Sequence, residues 1–442
     1  MKPTDSLKQS AAAAAAVCVL LCAPSAAGAQ EGRRQWTLQS CIDYALAGNV
    51  DMRQAKAQAA LAAETTAQSR ASLFPSLSGA VSYNYSDYPL ADYMGDGSVA
   101  GSYQLDARWV LYQGGQRRAA IRQSLLQQEG ADADEQATVM DIKVAVVSGY
   151  MQVMYAREAV AVSEAQLQVS EQQLERGRQM HTVGSLSRSD LAQLVSQCSQ
   201  DRYALAVARK ALDAYCLTLK QTLELDAAAD MDVATYAVDD SMVMRAVGAK
   251  ADVLEQAAGA SPSLRSAGIA VRVQELQVDV ARSGRRPTLT MQAGVGTGHS
   301  TASDAAVADQ LRDGTHTTVG LTLSIPIYSQ RENRTAINKA GIGVEQARLQ
   351  SEQARKQLVS TVENIYLDAV SSQAQYEAAR EQLTAATESY TLVAEQFAAG
   401  MRNTVELLAE KQTVQQASQD LLQSKYTAAM NLLLLDIYRG LM

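Results

Sequence analysis

Hydrophobic and polar residues alternate along four short stretches of the chain, which predicts four β-strands. In the first stretch Leu77, Val81 and Tyr85 stand at odd positions, and small or polar residues occupy the even positions between them. A period of two sends successive side chains to opposite faces, so each strand gains one apolar face. The predicted strands lie at about 76–88, 102–112, 287–298 and 317–328.

Two much longer stretches show helical spacing instead. Leu358, Val362, Ile365 and Ala369 recur at intervals of three or four residues, and no proline follows Pro326. Because proline interrupts a helix interior, proline-free stretches with this spacing can form helices of unusual length. The pattern predicts two long antiparallel helical hairpins, at about 116–222 and 332–439.

The two halves of the chain resemble each other. A shift of 212 residues superposes Pro75 on Pro287, and a shift of 216 superposes Gly184 on Gly400. A shift that stays constant over long stretches indicates internal duplication, and a loop between strands accommodates the four-residue change. The expected repeats are residues 30–248 and 249–442, and the first ends in an equatorial segment at 223–248.

The N-terminal segment has the pattern of a signal peptide. Lys2 and Lys8 precede an apolar run from Ala11 to Cys22, and the small residues 27–29 fit a cleavage site. The apolar run is short for a membrane-spanning helix. We therefore expect residues 1–29 to be removed on export, with lipidation of the N-terminus left open.

Charge and motif content argue against two classes of function. The 442 residues carry 39 Lys and Arg against 47 Asp and Glu, and no dense basic stripe is present, so we expect no nucleic-acid partner. The histidines, His181, His299 and His316, form no metalloprotease motif, and no Walker loop or nucleophile elbow occurs. We expect no catalytic residue, cofactor or bound metal, and leave open the role of His299 and His316.

Four strands cannot close a membrane barrel alone. Strands of about 9–11 residues cross a bilayer, but transmembrane barrels have about eight strands or more. An open edge in lipid leaves backbone groups without partners, so several chains must pool their strands. Aromatic residues stand near both ends of the predicted strands, as in the two aromatic girdles of a barrel. They are Tyr83, Tyr85 and Tyr103 toward the loop ends, and Trp109, Tyr112 and Tyr328 toward the helices.

The sequence resembles the TolC-like outer-membrane factors, or outer membrane efflux proteins, over nearly the whole mature chain. The residues that carry the resemblance are WTLQSCIDYALAGN (36–49), FPSLSGAVSY (74–83), WVLYQGGQRR (109–118), LSIPIYSQREN (323–333), VGSLSRSDL (183–191) and AGMRNTVELL (399–408). The resemblance implies a mainly α fold with a four-strand β contribution. It also implies a homotrimer, in which long helical hairpins form an α-barrel tunnel topped by a shared 12-stranded transmembrane β-barrel.

The resemblance further implies an exit duct of a tripartite efflux pump or type I secretion system, in the outer-membrane lipid of a Gram-negative bacterium. Its implied partners are a periplasmic adaptor and an inner-membrane transporter. The tips implied to contact the adaptor are Val183, Gly184, Ser185, Ala399, Gly400 and Met401. The alternative is a soluble periplasmic coiled-coil scaffold or adaptor, which leaves the four strands without a partner layer. The sequence does not identify the cargo.

The family's closed tip also implies roles for four further residues. Arg402 matches a latch arginine, and Ser189 and Asp190 match its partners. Glu406 matches a pore carboxylate, whereas Ala409 stands where the family has a second one. The resemblance thus implies a latch of Ser189, Asp190 and Arg402, and a single ring of Glu406.

Overall fold

The computed structural model describes residues 35–87, 97–226 and 231–442. The signal peptide predicted at 1–29 lies outside these residues. Within them, two long helical hairpins carry a four-stranded antiparallel sheet at one end.

Corresponding helices in the two halves of the chain have equal lengths of 11, 22, 67 and 35 residues. The first half contains β1 (Gln35–Trp36), α1 (Leu38–Gly48), α2 (Val50–Ala71), β2 (Ser76–Ser86), β3 (Ser98–Gln113), α3 (Gln116–Thr182) and α4 (Arg188–Thr222). The equatorial segment, which ends the first half, contains β4 (Asp232–Val233) and α5 (Asp240–Val243). The second half contains α6 (Lys250–Ala260), α7 (Pro262–Ser283), β5 (Thr288–Ser300), α8 (Val307–Asp313), β6 (His316–Ser324), α9 (Glu332–Ala398) and α10 (Thr404–Tyr438).

The helices form a layer of four columns. Near the sheet the order is α2, α3, α7, α9, and toward the hairpin tips it is α4, α3, α10, α9. The columns α2/α4 and α7/α10 are each made of two helices placed end to end. Asn49 joins the first pair, because its side chain caps α2 at Asp51 and donates to the carbonyl of Thr222 at 3.0 Å.

The sheet has the order β2-β3-β5-β6, and every neighbouring pair is antiparallel. Its register brings Val81 beside Tyr103 and Leu105 beside Val295, so the apolar residues of all four strands share one face. Serine, threonine, glutamine and glycine dominate the opposite face. A bulge between Val110 and Tyr112 shifts the register near the helices.

The observed strand ends correct two predictions. β3 begins at Ser98, four residues before the predicted start, and β6 ends at Ser324 rather than at residue 328. Pro326 follows that end, and proline has no amide hydrogen for a sheet ladder. Tyr328 therefore lies outside the strand, with 85% of its surface exposed.

The turn from strand to long helix differs between the halves. Gly114 and Gly115 have φ of 60° and 89°, and the matching residues of the second half, Gln330 and Arg331, have φ of 46° and 71°. Glycine adopts this left-handed region without strain, whereas other residues do so at a cost. The same backbone turn is thus relaxed in one half and strained in the other.

The equatorial segment packs against both hairpins at mid-height. Tyr150 of α3 donates to the carbonyl of Ala234 at 2.6 Å, and Asp240 accepts from Tyr376 at 2.5 Å and from Arg380 at 2.9 Å. These hydrogen bonds hold the pKa of Asp240 below its usual range. Beneath the segment lies the largest apolar core, where burial raises the pKa of the Cys41 thiol to about 12.

None of the helices in the described ranges has both the length and the apolar composition that crossing a membrane as a helix would require.

Candidate functional site

The two hairpin tips share one backbone design. Gly184 and Gly400 each follow a 67-residue helix, with φ of 77° and 75°. The amide of Ser185 donates to Met180 and that of Met401 to Gln396, each at 2.9 Å. These are the six-residue bonds of a Schellman motif, in which glycine relieves the strain of positive φ. Both tip glycines are therefore explained by the reversal of the chain.

An N-cap side chain begins each return helix, and it also bonds the carboxylate three residues later. Ser187 accepts from the amide of Asp190 at 3.0 Å and donates to that residue's carboxylate at 2.6 Å. Asn403 bonds Glu406 in the same way, at 2.8 Å to its amide and 3.0 Å to its carboxylate. Each cap satisfies one backbone amide that would otherwise lack a partner, and the bond between the side chains holds the cap in place. Asp190 and Glu406 thus both have structural roles at their own helix ends.

Within one chain, Arg402 forms no hydrogen bond or ion pair with Ser189 or Asp190, its predicted latch partners. Arg402 donates to Gln396 at 2.9 Å and to the carboxylate of Glu406 at 2.8 Å. Ser189 is exposed, and Asp190 is engaged by Ser187. The spacing of four residues between Arg402 and Glu406 explains this ion pair, because such residues are neighbours on a helix. The latch and the pore carboxylate stay predictions.

A small apolar core joins the hairpins just above the tips. Phe397 and Leu407 of the second hairpin pack with Leu186 of the first. Tyr390 of α9 also receives a hydrogen bond from Gln173 of α3, and burial raises the pKa of this tyrosine. The complete set of buried residues in this cluster is Leu174, Leu186, Leu194, Cys198, Phe397 and Leu407.

Beyond this core, apolar side chains project into solvent. Val183 is 78% exposed and Met401 70%, and Val405 lies exposed in the first turn of α10. Exposed apolar residues that lie together mark surfaces suited to protein contacts. Both tips therefore present an apolar residue beside the turning glycine.

At the other end of the molecule, three of the predicted aromatic residues lie near the loop end of the sheet. Tyr83 and Tyr103 are hydrogen-bonded through their hydroxyls, and His299 stacks on Tyr103 with ring centres 5.9 Å apart. Tyr85 is exposed near the end of β2.

Near the helices, Trp109 donates its indole hydrogen to the carbonyl of Leu73 at 2.9 Å, and Tyr112 is exposed beside the bulge. At the opposite end, His316 is exposed and lies 3.1 Å from the carbonyl of Gly314. Across the described ranges, no group of three or more His, Cys, Asp or Glu side chains is placed to hold a metal ion.

Sequence reasoning missed one polar cluster between the hairpins, formed by Lys411, Asp201, Ser170 and Gln197. We call it the Lys411 network. Its members come from α3, α4 and α10, so no local spacing reveals it. A lysine in the apolar stripe of α10 is the only signal that the sequence offers.

The comparisons with known proteins agree over most of the chain. The sequence model of a family described as outer membrane efflux protein matches residues 41–223 and again 253–437. Outer membrane protein TolC of Escherichia coli is 23% identical over 412 residues, which cover 89% of this chain and 80% of TolC. Outer membrane efflux protein BepC of Brucella suis is 23% identical over 84% of this chain and 78% of its own. A crystal structure of CusC superposes with a TM-score of 0.81 at 18% identity, covering 91% of each chain.

Proposed function

Because the chain belongs to the outer membrane efflux protein family, we propose that it is the exit duct of a tripartite efflux pump or type I secretion system. Family membership locates it in the outer membrane of a Gram-negative bacterium, with a helical tunnel in the periplasm, as a conduit without enzymatic activity. The proposal adds a homotrimer, a periplasmic adaptor and an inner-membrane transporter.

The observation that carries the proposal is the pair of open sheet edges. In the described part of the chain, β2 and β6 each pair with one strand only, and every residue of both is exposed. Backbone groups at an open edge find no partner in lipid. Pairing β6 of one copy with β2 of the next removes both edges. Three copies would supply 12 strands, above the roughly eight that a barrel needs.

The helical layer supports the same head-to-tail contact. The outer column α2/α4 is on the side of β2, since α2 leads into β2, and α9 follows β6 on the other side. Both outer columns expose large apolar side chains that a neighbouring copy would cover. They are Leu61, Tyr203, Val207 and Leu217 on one side, and Ile342, Leu349, Leu367 and Leu392 on the other.

We also propose that the two halves arose as structural repeats. The equal helix lengths and the double match to one family model support this. The tip glycines, Gly184 and Gly400, occupy the same place in each half.

At the tips, we propose that the exposed Val183 and Met401 contact the adaptor, together with their neighbours Gly184, Ser185, Ala399 and Gly400. In the closed trimer, Arg402 would bond Ser189 and Asp190, and Glu406 would line the pore. Three carboxylates around one axis would attract cations. Because arginine has five N–H donors, Arg402 could bond the latch residues in addition to Glu406.

Cysteine pairing tests the shared barrel. We expect Ser78→Cys combined with Thr322→Cys, or a neighbouring pair on the polar faces of β2 and β6, to give disulfide-linked dimers and trimers on a non-reducing gel. The matched control is Ser82→Cys with Ser102→Cys, whose positions pair within one chain and should leave monomers. A scan of β2 against β6 that yields only monomers would refute the shared barrel.

Cell fractionation separates the duct from the soluble scaffold. We expect the protein in the detergent-extracted outer-membrane fraction. We expect its deletion to raise the sensitivity of the cells to a transported compound, or to abolish secretion of a protein. Release of the protein in buffer washes would favour the scaffold.

A further inference from the structure

The Lys411 network buries an ion pair between the two hairpins. Lys411 of α10 lies with its ammonium nitrogen 2.5 Å from the carboxylate of Asp201, and their side chains are 6% and 2% exposed. The ammonium also donates to the hydroxyl of Ser170, and that hydroxyl donates to Asp201. Gln197 donates to the second carboxylate oxygen at 3.0 Å. Each charge in the network therefore has partners.

This ion pair differs from the others in the described ranges. It is the only one in which both side chains are less than a tenth exposed. The next ion pair between the hairpins, Lys425 with Glu158, lies at the height of the equatorial segment and is partly exposed. Lys411 with Asp201 is thus the ion pair between hairpins that lies nearest the tips.

Burying two charges costs free energy that their attraction only partly returns. Apolar residues of similar volume often give an equally stable protein, so a buried pair is weak evidence for stability. The pair does impose a register. A slip of one helical turn, about 5.4 Å, would leave both charges buried without partners.

Below the network, within the described residues, the directional contact between the hairpins is one neutral hydrogen bond, from Gln173 to Tyr390. Ser170 lies 12 residues before the end of α3 at Thr182, which is roughly 18 Å of helix. Over this distance the hairpins meet mainly through the apolar core around Phe397 and Leu407. Apolar contacts are not directional, so they tolerate small shifts between the helices.

We propose that Lys411 is a positioning residue for the tips. By fixing the register of α10 against α3 and α4, it holds both tips in their closed arrangement. The link to closure rests on the proposed function, in which the tips seal the tunnel. The register itself does not depend on that function.

The decisive variant is Lys411→Met with Asp201→Leu, which replaces the pair by apolar side chains of similar size. We expect the trimer to assemble with an unchanged midpoint of thermal unfolding. We expect the conductance of the idle channel in planar bilayers to rise about tenfold, within the range of coupling energies in ion-pair networks. Amide hydrogen exchange in residues 183–191 and 399–408 should accelerate by a similar factor.

The matched control is Glu171→Gln with Arg202→Gln. Each residue lies one position from the network, and their side chains form a pair at 3.3 Å that is 53% and 67% exposed. Because this pair joins α3 to α4 within one hairpin, its loss should change neither the conductance nor the exchange at the tips.

Unchanged conductance and unchanged tip exchange in a folded double variant would overturn the proposal. If the double variant does not assemble, Ser170→Ala removes one partner of Lys411 and keeps the ion pair. A smaller increase in tip exchange is then expected, and no increase would overturn the proposal. A wild-type protein that forms no channel would refute the proposed function alone, since tip exchange still tests the register.

Discussion

At the first tip, position 186 is a leucine that packs into the apolar core, and the carbonyl of Leu186 lies 2.9 Å from the Nδ1 atom of His181. At the second tip, the matching position is Arg402, exposed and paired with Glu406. Phe397 takes the place of His181 and is buried. The backbone turns are the same. The comparison therefore teaches that one turn design accepts either a buried leucine or an exposed, ion-paired arginine two residues after the turning glycine.

The largest difference in stability between the tips is expected at the matching positions 397 and 181. Phe397→Ala should destabilise the second tip by about 3–5 kcal/mol, because it empties part of a buried cluster. His181→Ala should cost about 1 kcal/mol, the value of one hydrogen bond. Amide exchange at each tip measures both effects. If Phe397→Ala costs no more than about 1 kcal/mol, as expected for His181→Ala, the apolar core does not depend on Phe397.

The turning glycines should behave alike. Gly184→Ala and Gly400→Ala place a side chain where no atom lies within 4 Å, so the cost comes from the left-handed backbone alone. We expect about 1–2 kcal/mol at each tip. Thermal unfolding and tip exchange provide the measurement, and a cost at only one tip would contradict the shared backbone design.

The helix caps should show a smaller and again equal effect. Ser187→Ala and Asn403→Ala each remove one N-cap, which is worth about 1 kcal/mol. Restoring the cap with Asp at either position serves as the control. Exchange of the amides in the first turn of α4 and α10 reports the loss, and unchanged exchange would exclude a capping role.

The ion pair of Arg402 with Glu406 should contribute least to stability. Its removal should instead affect how the channel closes. Arg402→Ala is expected to cost about 0.2–1 kcal/mol, since the pair is exposed. If Arg402 forms the latch, its removal and Asp190→Ala should both raise the idle conductance. Lys356→Ala, which removes an exposed pair of the same spacing on α9, is the control. Unchanged conductance in both latch variants would remove that assignment.

Glu406→Ala addresses the pore rather than the latch. Losing the carboxylate should weaken cation selectivity, because three negative charges around one axis attract cations. The reversal potential under a salt gradient measures this. Glu410→Ala is a suitable control, since Glu410 accepts a hydrogen bond from Ser389 on the neighbouring helix. An unaltered reversal potential for Glu406→Ala would exclude the proposed ring.

The sequence predicted those parts of the fold that depend on local pattern. Helical spacing and the absence of proline predicted the ends of both hairpins to within one residue, and the family resemblance placed the tips at Gly184 and Gly400. The end of β6 was wrong because apolar alternation continues through Ile325 and Ile327, although Pro326 interrupts the ladder.

The side-chain partners at the site depend on packing between helices, and most lay beyond sequence reasoning. The ion pair of Arg402 with Glu406 could have been read from their spacing of four residues. The contact of Lys411 with Asp201 could not, because it joins residues 210 positions apart on different hairpins.

The equal arms of the two hairpins constrain how the protein can change in size. Each tip is reached by a descending helix of 67 residues and a returning helix of 35, with identical numbers in both halves. Adding residues to only one of these four helices would move its end away from the level of the other three helix ends at the tips. We therefore expect relatives with a deeper tube to carry coordinated insertions in all four arms, while the loops beyond the sheet vary independently.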